Sequence, residues 1–211
     1  MNWLAHLVLS EPSSAFRIGN LLPDILPWRD WQGLPAKYQA GIECHQVIDT
    51  FTDSHAIFRR SVNRIEAPFR RYAGILIDVF YDHFLARTWS RYERVPLLPF
   101  VAEFYASLSE HREELPPLAY ARLLQMKAGD WLCSYRELAG VRRALAGIGT
   151  RFRKPLPLDE ATIQLELHYD ALQEDFAEFF PELSLHVERK GAGKDEGRQF
   201  YWQAPGTTDW Q

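Results

Sequence analysis

Residues 73 to 86 read Ala-Gly-Ile-Leu-Ile-Asp-Val-Phe-Tyr-Asp-His-Phe-Leu-Ala. The stretch predicts a helix that is apolar on almost every side, and such a helix belongs in a protein interior. It nevertheless carries Asp78, Asp82 and His83. A buried carboxylate without a partner costs several kcal/mol or takes up a proton. Asp78 and Asp82 stand four apart and stack on one helix face, with His83 about 100° round from Asp82. A metal ion is one partner that answers such groups, so this helix offers half of a metal site.

Outward from there, apolar positions recur mostly at spacings of three and four, and alternating Val/Ile/Thr stretches are scarce, which predicts an all-α fold. Ser13 or Ser14 caps a short helix through Gly19-Asn20-Leu21-Leu22 that stops before Pro23-Asp24. A Trp-rich loop spans Pro27 to Pro35. From Pro35 a helix runs to about Thr52, and its inward stripe of Tyr38, Ile42 and Ile48 also holds His45 and Asp49. Asp53 or Ser54 caps the next helix, which ends before Pro68. The opening helix continues to about Tyr92. Further helices are expected over Phe100 to Leu115, over Ala119 to Ala146 in two pieces, and over Leu158 to Phe180. From Glu188 the composition turns to Gly, Lys, Asp and Gln, so the division is a helical domain over 1–187 and a loosely held tail over 188–211.

At 211 residues and 46% hydrophobic, the chain suits one sizeable core. The net charge of −4 and pI near 6.0 argue against a general nucleic-acid binder, whose footprint is basic. Cys44 and Cys133 form neither a CxxC nor a zinc-ribbon spacing, and two cysteines make no disulfide framework, so a cytoplasmic setting is expected. No basic leader and no apolar run of roughly 20 residues suggest export or membrane insertion.

Carboxylates or imidazoles in apolar surroundings occur at His6, Asp24, His45 with Asp49, Asp78 with Asp82, and His83, all within the first 83 residues. Imidazole with several carboxylates suits Mn, Fe or Zn. Two helices offering such pairs four apart close around metal as in bundle-type sites. Taken singly, His6 reads more readily as a hydrogen-bonded core residue than as a ligand, and Asp24 and Asp53 as caps or turn residues. The pairs are harder to satisfy that way. His55, His111 and His186 read as surface residues. Arg59, Arg60, Arg64, Arg70 and Arg71 are offset within thirteen residues only by Glu66. Such a run is commonly a solvated face, but on an acidic chain it also suits an anionic partner.

Five ordered stretches together resemble the acyl carrier protein phosphodiesterase, or acyl carrier protein hydrolase, family. They are residues 1–7 (Met-Asn-Trp-Leu-Ala-His-Leu), 19–24 (Gly-Asn-Leu-Leu-Pro-Asp), 41–53 (Gly-Ile-Glu-Cys-His-Gln-Val-Ile-Asp-Thr-Phe-Thr-Asp), 78–89 (Asp-Val-Phe-Tyr-Asp-His-Phe-Leu-Ala-Arg-Thr-Trp) and 168–172 (His-Tyr-Asp-Ala-Leu). The resemblance implies an all-α, single-domain helical bundle, distantly like the HD phosphohydrolases. It implies an enzyme that uses Mn²⁺ to cleave the phosphodiester joining a carrier-protein serine to 4′-phosphopantetheine. His6, Asp24, His45 and Asp82 are then the expected metal ligands, and Asp78, His83 and Asp49 the expected catalytic groups, with Asn2, Asn20 and Asp53 behind them. The five arginines are expected to seat the acidic carrier protein. Two features depart from the pattern: the chain has no His-Asp dipeptide, only Asp82-His83 in reverse, and Gln46 stands where the family has Arg. The competing readings are a helical metallo-phosphohydrolase acting on a nucleotide or phospholipid headgroup, and a non-catalytic carrier-protein binding module.

Overall fold

The computed structural model is described for residues 1–190; most of the tail expected from 188 lies outside them. The described residues form eleven α-helices and short 3₁₀ turns, with no strand. The helices are α1 (Trp3–Val8), α2 (Ser14–Leu21), α3 (Ala36–Ser54), α4 (Ala56–Arg64), α5 (Ala73–Arg87), α6 (Leu97–Ser107), α7 (Pro117–Ala128), α8 (Trp131–Ser134), α9 (Leu138–Gly149), α10 (Thr162–Leu167) and α11 (Tyr169–Arg189). No described helix is long and apolar enough to cross a membrane.

The expected central helix is α5. From Leu76 to Ala86 it is buried at every position but Asp78, and it packs against α1, α4, α9 and α11. Its side chains have no single polar face because every side meets another helix. It ends at Arg87, where Thr88 returns its hydroxyl to the Phe84 carbonyl (2.7 Å); the stretch to Tyr92 continues as a 3₁₀ turn.

The crossing of α2 and α3 positions the site. Gly19 and Gly41 face each other there: a Cβ on Gly19 would collide with the Tyr38 carbonyl, and one on Gly41 with that of Phe16. With hydrogen in place of side chains the two backbones meet directly. Asn20, one residue past the crossing on α2, is thereby set against His45, one turn past it on α3.

Several expected boundaries move. Ser13, not Ser14, caps α2, accepting the Phe16 N–H (3.4 Å). The cap of α4 is His55, whose Nδ1 accepts the Ile57 N–H (3.3 Å), rather than Asp53 or Ser54. The region 119–146 forms three helices, and the stretch expected over 158–180 breaks at His168 and resumes as α11. Pro181 does not stop α11. A mid-helix proline costs about 3 kcal/mol, whereas burying side chains such as Leu183 and Val187 is worth about 1.5–3 kcal/mol each. His111 is buried between the Ser14 hydroxyl (2.9 Å) and the Tyr38 hydroxyl (2.8 Å), so the surface assignment fails for it. His55 and His186 are half-buried and pack on Phe51. The sequence could not show that Phe51 on α3 and Phe179 on α11 converge there.

Candidate metal centre and its cavity

Asn20 is the hub of the polar cluster. Its amide nitrogen donates to the His6 carbonyl (2.8 Å) and the Ser10 hydroxyl (2.9 Å), which leaves its Oδ1 an acceptor facing His6 Nδ1 at 2.9 Å. Its backbone carbonyl faces His45 Nδ1 at 2.7 Å. The two imidazoles stack with ring centroids 4.2 Å apart and turn their Nε2 atoms to one carboxylate. His6 Nε2 lies 3.3 Å from Asp49 Oδ1, and His45 Nε2 lies 3.0 Å from Asp49 Oδ2.

Both nitrogens of each ring therefore face oxygen acceptors. A neutral imidazole has one donor and one lone pair, so in either tautomer one lone pair is set against an oxygen. An extra cation resolves this, either a second proton on each ring or a metal ion. Two stacked imidazoliums would repel. Burial holds the His6 pKa below the ordinary value, and the charge of His45 lowers it further. Burial also pulls at His45, but the hydrogen bond it donates to Asp49 and the charge of Asp24 prevail and raise it. Burial would raise the Asp49 pKa, yet its bonds to His45 and His6 hold it well below the carboxylate range. With Nδ1–H of each ring tied to a carbonyl oxygen, Nε2 is left as the ligand atom, the arrangement found behind metal-bound histidines. His6, His45 and Asp49 each offer a ligand atom within 4.8 Å of the others, and their chemistry suits a borderline divalent ion. The residues fit a metal.

The remaining expected residues fall around this core or outside it. Asp24 accepts the Trp3 indole N–H (2.8 Å) and stands 4.0 Å from His45 Nε2. Asp78 pairs with the Met1 amino group at 3.0 Å, and that group also reaches Asp49 at 3.3 Å. Burial lifts Asp78 to about 6 despite the ammonium. Asp82 is turned away: its two oxygens accept the Leu4 and Ala5 amides (2.8 and 3.0 Å) at the start of α1. Asn2 itself makes no side-chain cap there. Burial raises Asp82 to about 7, the two amides opposing. Asp82 thus holds α1, and through it His6, in place. His83 is committed at both nitrogens, to the Tyr135 carbonyl (2.7 Å) and the Tyr169 hydroxyl (3.1 Å). Asn2 donates to the Tyr135 hydroxyl (2.7 Å), and Asp53 is exposed.

The arginine run divides. Arg60 binds Asp175 (2.7 Å) and Glu178 (2.6 Å), and Arg64 binds Asp175 (2.9 Å). Sequence counting missed these because the acids come from α11, more than a hundred residues on. Arg59, Arg70 and Arg71 are exposed.

Beside the cluster opens a cavity of about 420 Å³ whose wall includes Asp24, Asp78, Trp3, Trp131 and Tyr135. Sequence reading passed over its far wall, supplied by α7 to α9. The signal available was a set of arginines, Arg122 on α7, Arg143 on α9 and Arg151 in the turn after α9.

A family model described as Acyl carrier protein phosphodiesterase matches residues 1–183. Relatives carrying the name acyl carrier protein phosphodiesterase, from Escherichia coli strain K12 and from Escherichia coli O7:K1 strain IAI39, are each 31% identical over 191 residues. The matches cover 90% of this chain and 99% of theirs. No solved structure matches the chain. With nearly all of its described helices inside the match, the chain belongs to the acyl carrier protein phosphodiesterase family.

Proposed function

We propose that this protein is a cytoplasmic, metal-dependent phosphodiesterase that removes 4′-phosphopantetheine from holo-acyl carrier protein. The observation that carries the reading is the pair of stacked imidazoles turned through Nε2 onto Asp49 while Asn20 occupies both Nδ1 positions. Family membership supplies the substrate, and the donor set supplies the case for a divalent ion, Mn²⁺ by preference.

His6, His45 and Asp49 hold the ion, and Asp24, fixed by the Trp3 indole, completes the anionic side. Such an ion polarises a phosphoryl oxygen and lowers the pKa of water. Asp78, with a pKa near 6 and a place on the cavity wall, is the proton-transfer group, since a general acid or base works best near the ambient pH. In the overall reaction the bond from phosphorus to the serine oxygen breaks and a water oxygen joins phosphorus. One proton of that water ends on the serine hydroxyl. His83 has both nitrogens engaged, by the Tyr135 carbonyl and the Tyr169 hydroxyl, and is a positioning residue. Among the five arginines, Arg59, Arg70 and Arg71 are available to an acidic partner, while Arg60 and Arg64 brace α4 to α11.

The test is release of phosphopantetheine from holo-acyl carrier protein with and without chelator. Turnover lost on chelation and restored by Mn²⁺ is expected. Turnover indifferent to chelation would exclude the metal, and no turnover with metal would leave a binding module.

A further inference from the structure

Trp3 and Trp131 stack with centroids 5.5 Å apart and planes 15° from parallel. The guanidinium of Arg151 lies over the Trp3 ring at 5.6 Å, and that of Arg122 over the Trp131 ring at 5.7 Å. Two cations and two indoles thus form one wall of the cavity. Trp3 also donates to Asp24, so the same wall runs directly into the metal cluster. Among the described residues, neither arginine has a carboxylate within ion-pair distance, unlike Arg60 and Arg64. Arg122 is half-buried; Arg151 as a whole residue is exposed, with its charged end packed on the indole. Packing lowers the Arg151 pKa, and the like charge of Arg122 lowers it further, against Asp24. Like charges held together on an aromatic platform beside an acidic cluster are poised for an anion bridging the two. Ile75, Val79, Ala144 and Ile148 give the cavity an apolar stretch, with Arg143 a third cation on the wall, and the volume falls in the range of small-ligand sites.

We propose that this cavity is the seat of the substrate's prosthetic arm: Arg122 and Arg151 grip the phosphate of a phosphodiester whose bridging oxygen faces the His/Asp cluster, and the apolar floor takes an uncharged chain extending from it. This rests on the phosphodiesterase reading but can fail separately from it.

The test is calorimetric binding of free 4′-phosphopantetheine to the metal-free, full-length protein, with pantetheine lacking phosphate as the comparison. A hydrogen bond to a charged group is worth about 1.5–3 kcal/mol, so Arg122→Gln or Arg151→Gln should weaken phosphopantetheine about ten- to a hundredfold while leaving pantetheine unchanged. Gly147 lines the cavity, and a Cβ there meets nothing within 4 Å. Gly147→Phe should therefore weaken both ligands without disturbing the fold. In turnover, the arginine variants should lose equally on holo-carrier protein and on a small phosphopantetheine diester. Unchanged phosphopantetheine binding in both arginine variants would overturn the proposal, as would losses confined to the protein substrate, which would move these arginines to the docking rim. If the wild type turns over with metal and these variants bind normally, only the cavity assignment falls. If the wild type binds phosphopantetheine through these arginines but never turns over, the phosphodiesterase reading falls and the cavity stands.

Discussion

Two acidic centres lie in this bundle, one buried at Asp175 and one half-buried at Asp49, and they are answered differently. Around Asp175 the protein supplies everything: Arg60, Arg64 and the Ser61 hydroxyl (2.7 Å) converge on its oxygens, and Tyr81 completes the set through Ser61 (2.7 Å). Around Asp49 it does not: two imidazoles arrive with every ring nitrogen already facing an oxygen. The first arrangement is closed and structural. The second draws in the Met1 ammonium at 3.3 Å from Asp49, yet an imidazole lone pair on each ring is still set against an oxygen. An acid set among apolar helices is thus no guide to function by itself; the guide is whether the neighbouring donors are sufficient.

The contrast is broken most sharply by exchanging damage between the centres. His45→Ala should abolish Mn²⁺-dependent turnover, a loss of at least about a thousandfold given that activating a nucleophile and polarising the ester both depend on the ion. Its melting temperature without metal should change little, because a stacked, lone-pair-bearing ring is removed. Asp175→Ala should do the reverse. It leaves Arg60 and Arg64 without their shared counterion and the Ser61 hydroxyl without its acceptor. A loss of about 3–5 kcal/mol is expected for breaking a buried pair, discounted because both arginines are partly exposed. The folded fraction should retain normal kcat. Loss of kcat per folded molecule in Asp175→Ala, by a calibrated assay against circular dichroism, would erase the distinction.

Asn20→Ala is next in size. It removes the Oδ1 that fixes His6 but keeps the backbone carbonyl that fixes His45, so Mn²⁺ affinity should fall about ten- to a hundredfold rather than vanish. Titration calorimetry reads this directly; an unchanged affinity would show that the ring orientations do not depend on Asn20.

The arginines give a smaller effect. Arg59→Glu with Arg71→Glu should raise KM for holo-carrier protein severalfold and flatten its dependence on salt, with kcat kept, because rim charges act mainly on encounter. A small phosphopantetheine diester should be insensitive. Arg60→Gln should instead lower stability, with KM for the protein substrate little changed. Equal KM effects from both would put Arg60 back among the docking residues.

A separate effect, read in stability and not in turnover, is a pH dependence. Asp82 has a folded pKa near 7 against an ordinary value near 4. Its protonated form is favoured in the folded state, so that stability is present at low pH and lost as pH rises through about 7. Asp82→Asn keeps one acceptor for the α1 amides and does not ionise. In chelator, the variant should be the less stable protein at pH 5 and the gap in melting temperature should narrow by pH 8. A gap constant across that range would show that Asp82 does not titrate there. Comparing variant with wild type cancels the histidines whose own shifts oppose the trend.

The fold was legible because α5 announces itself: ten apolar residues around two acids and a histidine leave no solvent face. The members of the His6, His45 and Asp49 cluster were legible too, since the sequence sets His45 and Asp49 on one stripe of α3 and His6 in an apolar segment. Their division of labour was not. Asp82 and Asp49 occupy equivalent pairs in sequence, and only the position of α1 turns Asp82 into an anchor for the Leu4 and Ala5 amides. The Asp175 clasp was hidden for a similar reason: Arg60 and Asp175 are 115 positions apart, and no local pattern joins them. Gly19 and Gly41 were the readable sign of the crossing that creates the site, each a glycine in a helix interior, where it weakens the helix and calls for a packing reason.

The metal centre is tested most directly by equilibrium titration of Mn²⁺ into the purified, chelator-stripped protein alongside His45→Ala and Asp175→Ala. Saturable binding to the wild type, lost in His45→Ala and retained by folded Asp175→Ala, is expected. No binding to the wild type, or binding to His45→Ala as strong as to the wild type, would contradict a metal held by His6, His45 and Asp49.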